Sequence, residues 1–78
     1  RIRDIISICL NNNASSVILA HNHPHSLALP SPEDVYTTEK VFHALNTISV
    51  KLRDHIIVCG LEAISMRDSG HFKCFKDR

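Results

Sequence analysis

The sequence predicts a single mixed α/β domain built on a small sheet. Three observations carry that expectation. Apolar residues recur at helical spacing in residues 2–10 and again from residue 32 to about 50. Two short apolar runs, residues 16–21 and 54–60, have the length and β-branched content of buried strands. A third run, residues 63–70, follows the second after a turn of two or three residues around Leu61 and Glu62, so these two should pair as an antiparallel hairpin. The order is α-β-α-β-β.

Each element has a local reason. In the first helix Ile2, Ile5, Ile6 and Cys9 share one face, and the run of asparagines at 11–13 is a stop signal. The strand "SVILAH" should end near His23, because Pro24 cannot donate to a ladder. The main helix has a strong start: Ser31 suits the N-cap, Pro32 the first turn and Asp34 the third helical position. Its apolar stripe runs through Val41, Leu45, Ile48 and Leu52, with Val35 and Phe42 beside it. "DHIIVCG" reads as a buried strand closed by Gly60. The last eight residues are expected to be irregular or a weak terminal element.

Composition narrows the class of function. The chain has 78 residues, 44% of them hydrophobic, and a net charge of +1, so it is neither disordered in composition nor drawn to nucleic acid by a basic face. No apolar run reaches the eighteen or so residues of a membrane span. Cys9, Cys59 and Cys74 are odd in number and unpaired in spacing, which suits reduced thiols in a cytoplasmic protein. Cys9 and Cys59 should be small buried hydrophobes and Cys74 exposed. The chain opens on Arg1, and the expectation is a C-terminal portion of a longer domain whose N-terminal strands are absent. Three strands are few for independent stability, and the sheet edges they leave favour a homo-oligomer.

The chemistry concentrates in "HNHPHSLALPSPED", residues 21–34. On a strand, residues i and i+2 point to one face, so His21 and His23 project together and can bind one metal ion. Two ordinary polar residues at a strand end are the alternative, and spacing alone leaves both open. Ser31 and Asp34 are explained by the capping box alone. Taken with the histidines, they complete the order His-x-His, seven residues, Ser, two residues, Asp. Two imidazoles and a carboxylate are a common catalytic zinc set, with a fourth position for water. Asp34 would serve both as cap and as ligand only if its carboxylate turned away from the N-cap. His25 reads as an exposed loop residue, and His43, His55 and His71 as solvated or packed with no site implied. Asp54 reads as a strand-start residue.

This spacing resembles the core of the JAMM (MPN+) metalloprotease motif, and "ILAHNHP", "PSPED", "DHIIV" and "SMRDSG" resemble its RadC-like JAB branch. The resemblance implies a JAB/MPN, cytidine-deaminase-like α/β fold with flanking helices around a mixed sheet. It implies zinc held by His21, His23 and Asp34, with Ser31 donating to a substrate carbonyl or oxyanion. The implied reaction is hydrolysis of a peptide or isopeptide bond in an unidentified peptide or protein substrate. The family's general-base glutamate lies upstream of the matched region. The first glutamate here is Glu33, and Glu33, Glu39 and Glu62 sit in the wrong places to replace it, so the isolated chain is expected to be inactive. The family's Ser-Gly-Asp after HNHP is here His25-Ser26-Leu27.

Two other readings remain. One is a catalytically degenerate domain that binds metal or a protein partner. The other is nucleic-acid work, prompted by the DNA-repair name of the RadC-like group, but the chain has no basic face and no stacking aromatic set. Base deamination needs H-x-E and P-C-x-x-C patterns, and neither is present.

Overall fold

The computed structural model describes residues 1–24 and 27–77. The expected order is observed: α1 (Ile2–Asn11), β1 (Ser16–Asn22), α2 (Pro32–Thr47), β2 (Lys51–Cys59) and β3 (Glu62–Ser65), followed by a short 3-10 helix at Lys73–Asp77. The strands form one mixed sheet in the order β1-β2-β3, with β1 and β2 parallel and β2 and β3 antiparallel. Val41, Phe42 and Leu45 of α2 and Cys9 of α1 meet Leu52 and Ile57 of β2, with Val17 and Leu19 of β1 packed alongside. Ile18, on the opposite face of β1, is exposed. Among the described residues, no helix is long and apolar enough to cross a membrane.

The helix termini follow their local chemistry. α1 closes where Asn13 takes a left-handed φ of 51° and Ala14 N donates to Cys9 O at 2.9 Å, so the asparagine run does stop it. α2 ends at Thr47, earlier than the stripe predicts. Ser49 takes φ 59° there, and Val50 N reaches back to Leu45 O at 2.9 Å. Leu52 therefore belongs to β2 and not to the helix. The stop was hard to read because the left-handed position carries serine where glycine is usual. Replacing Ser49 with Gly should stabilise the chain by about 0.5–1 kcal/mol in urea unfolding, since a Cβ is disfavoured at that φ. A Ser49→Gly variant less stable than wild type would refute this account.

β2 carries an irregularity that matters later. Val17 pairs with Leu52, but Ile18 pairs with Asp54, so Arg53 is an extra residue on β2. Gly60, at φ 59°, closes β2 as expected, but the turn falls earlier than predicted, at Gly60 and Leu61, because Glu62 already pairs with Cys59 in β3.

β3 is shorter than predicted, ending at Ser65. Asp54 is the reason. Lying inside β2 rather than at a strand start, its carboxylate accepts from the Ser65 hydroxyl and, at 3.0 Å, from Arg67 N. That clamp turns the chain through residues 66–70. The C-terminal tail is less marginal than its polar sequence suggests. Phe72 and Phe75 are buried, and they stack edge to face with each other at 4.9 Å and, through Phe72, with Phe42 at 5.5 Å. Cys9 is buried as expected, whereas Cys59 and Cys74 are both half-buried.

Candidate metal centre

The site forms where the C-terminal end of β1 meets the N-terminus of α2. Val17 and Leu19 face the helices, so by strand alternation His21 faces them too. His23 lies one residue past the strand, yet its ring meets that of His21 edge to face at a centroid distance of 4.7 Å. On the helix side, the capping box predicted from Ser31 and Asp34 is present in both directions.

The structure brings all four sequence-predicted residues together. His21 Nδ1 lies 2.8 Å from Asp34 Oδ1, and His23 Nε2 lies 3.1 Å from Asp34 Oδ2. One candidate ligand atom from each of the three residues falls within 4.8 Å of the others. The Asp34 side chain is only 4% exposed, while His21 opens to solvent. A buried carboxylate flanked by two imidazole nitrogens could hold a metal ion.

The Asp34 carboxylate faces both imidazoles while keeping its bonds to the cap. Its oxygens divide the work. Oδ2 accepts from Ser31 N at 2.7 Å and from the Ser31 hydroxyl at 2.9 Å, while Oδ1 faces His21 and takes no bond from the cap. Ser31 Oγ in turn accepts from Asp34 N at 3.1 Å. The Ser31 hydroxyl proton is thus committed to Asp34 rather than offered to the cavity.

A cavity of about 260 Å³ opens beside these groups, and Glu33, Thr37 and His55 also line it. Glu33 was expected to be out of place, and His55 to have no site; both border the cavity. Buried to 4% exposure, His55 stacks on His21 with ring centroids 6.2 Å apart and planes 23° from parallel. The irregularity at Arg53 puts it there. Counted in steps of two from Leu52, His55 would face away from the helices; the extra residue restores it to the same side. His43 and His71 are exposed, away from the cavity lining. His25 and Ser26 lie outside the described residues.

Burial pushes the Asp34 carboxyl up, but the hydrogen bonds from Ser31, followed by the bond and charge of His21, outweigh it and hold the group below its ordinary value. Burial pushes the His55 imidazole down, beyond the opposing pull of the Asp34 and Asp54 carboxylates. Both shifts make the folded chain bind fewer protons than the unfolded one. Asp34 contributes stability above the ordinary value of 3.8, and loses it as pH falls through the folded value. His55 begins to cost stability once pH drops below its ordinary value of 6.5, where only the unfolded chain readily takes the proton. The metal-free chain should therefore weaken as pH falls below about 6.5, and His55→Phe should flatten that upper limb. Urea midpoints measured across this range check it; a flat wild-type profile would contradict a neutral His55.

Comparison with known proteins agrees with this architecture. A family model described as the RadC-like JAB domain matches residues 1–71. A UPF0758 protein of Pseudoalteromonas translucida is 41% identical over 68 residues, covering 87% of this chain and 30% of that relative. One from Bordetella bronchiseptica is 42% identical over 69 residues, covering 88% and 31%. One from Saccharophagus degradans is 38% identical over 68 residues, covering 87% and 30%. The chain thus spans about three-tenths of the length of these curated relatives.

Proposed function

The chain belongs to the RadC-like JAB domain family, and on that premise we propose that it carries the zinc site of a JAMM-type hydrolase acting on a peptide or isopeptide bond. The observation that carries this reading is the convergence of donor atoms from His21, His23 and Asp34 within 4.8 Å, at the wall of an open cavity. Bound zinc supplies Lewis acidity and lowers the pKa of a water to near ~7.

The chain's own residues do the rest. His21 and His23 present imidazole nitrogens from the end of β1. Ser31 keeps the Asp34 carboxylate ionised and aimed, through its main-chain N–H and its hydroxyl. To donate to a substrate carbonyl or a developing oxyanion, Ser31 must exchange its hydroxyl bond to Asp34 Oδ2 for one to substrate. The cytoplasm, suited to three cysteines of odd number and no close spacing, is the proposed compartment.

A second reading, a domain that holds metal or a partner without hydrolysis, is favoured by one observation. Of the three glutamates, Glu33 alone borders the cavity, and it is exposed in the first turn of α2. Zinc-loaded protein in a form long enough to include the family's upstream glutamate, incubated with peptide and isopeptide-linked substrates, separates the two. Cleavage that disappears with a chelator and returns with zinc supports the hydrolase. Stoichiometric zinc without cleavage supports the second reading.

A further inference from the structure

Thr38 and His55 are two polar side chains buried beside the candidate metal centre, 0% and 4% exposed. Thr38 stands one turn beyond Asp34 on α2; His55 stands on β2, next to β1, which carries His21 near its end. Thr38 Oγ1 lies 2.6 Å from the main-chain oxygen of Asp34 and 2.6 Å from His55 Nδ1. One hydroxyl carries one proton, so only one assignment satisfies both contacts. The hydroxyl donates to the Asp34 carbonyl, because two bare oxygens at that distance would repel. His55 Nδ1–H then donates to Thr38 Oγ1. The relay runs from His55 through Thr38 to the backbone of Asp34. The other side of the same imidazole stacks on His21.

From these contacts we infer that Thr38 and His55 are positioning residues for the metal centre. They tie the first turns of α2 to β2 and hold the ring of His21 in place. Asp34 and His21 sit on separate elements, and His55 links them from β2, to Asp34 through Thr38 and to His21 by ring stacking. Groups that hold ligands from behind commonly change metal affinity by about 10–100-fold when removed. This inference rests on the proposed metal centre.

The test is zinc affinity of the full chain by competition with a chromophoric chelator, with cobalt(II) absorption reporting ligand geometry and thermal melting of the metal-free chain reporting stability. Thr38→Val keeps the volume and removes the hydroxyl; it should weaken zinc by about tenfold or more. Thr38→Ser keeps the hydroxyl and removes a methyl; it should melt lower yet bind zinc within about threefold of wild type. His55→Phe should resemble Thr38→Val. The double variant T38V/H55F, in which no buried polar group is left unpaired, should be no weaker than either single change within about threefold. It also carries the test if Thr38→Val does not fold.

Affinity that follows melting temperature across the series, with Thr38→Ser as weak as Thr38→Val, overturns the inference and leaves a core-packing pair. So does wild-type affinity in T38V/H55F. In either case the metal centre itself stands, because wild type binds. A wild-type chain that binds no zinc overturns the metal centre and this inference together.

Discussion

Alanine at His23 is expected to abolish zinc binding: the wild-type chain should carry about one zinc, and His23→Ala close to none. The expectation rests on where His23 stands. Its Nε2 is 3.1 Å from Asp34 Oδ2, inside the cluster of donor atoms, and its ring is half-buried beside His21. Among the described residues the ring's other polar contact, Nδ1 to Leu27 O at 3.4 Å, is too long to contribute much to the fold. Removing the ring should therefore remove a ligand without unfolding the chain. Elemental analysis of protein purified without chelators measures this, with circular dichroism confirming that the variant is folded. His43→Ala is the control, because His43 is exposed on α2 and does not line the cavity; it should keep its zinc. Zinc retained by His23→Ala would mean that the ion binds elsewhere. Zinc absent from wild type would remove the basis of the hydrolase proposal.

Asn at position 34 should separate the two duties of this side chain. Oδ1 faces His21, and Oδ2 accepts both bonds of the cap. An amide keeps one oxygen to accept from Ser31 and loses the negative charge. The cost to the helix should then stay within the ~0.5–2 kcal/mol range of N-cap changes. The cost to the metal should be larger. Replacing the anionic member of a three-residue set removes both a ligand and its charge, and a loss beyond the ~10–100-fold seen for supporting groups is expected. Zinc competition and urea unfolding of the metal-free protein, measured on Asp34→Asn together, check this. Equal losses in both would assign Asp34 to the cap alone.

The start of α2 and the convergence of His21, His23 and Asp34 were both legible because both are local. Ser31 and Asp34 are three residues apart, and the bonds between them depend only on the first turn of a helix. His21 and His23 converge through strand alternation, and Asp34 follows thirteen residues after His21. Elsewhere the structure departs from the local apolar pattern. The apolar stripe continues past Thr47, but Ser49 turns left-handed and sends Leu52 into β2. The run after Gly60 looks like a long strand, but Asp54 captures Ser65 and Arg67 and turns the chain. Phe72 and Phe75 lie in a polar tail, and only the surface formed by α2 gives them a place to be buried.

What the sequence by itself determined, then, is the element order and the chemical identity of the centre. Helical and strand periodicities, and the spacing of two imidazoles, a hydroxyl and a carboxylate, are properties of neighbouring residues. What only the tertiary structure decided is what surrounds that centre. Glu33 borders the cavity because the end of β1 comes to rest against the first turn of α2. His55 faces His21 because one extra residue at Arg53 reverses the alternation of β2. Thr38 reaches His55 across seventeen residues of chain, a contact that exists only once helix and sheet have packed. Pairing register and packing are set by partners distant in sequence, and no local periodicity encodes them.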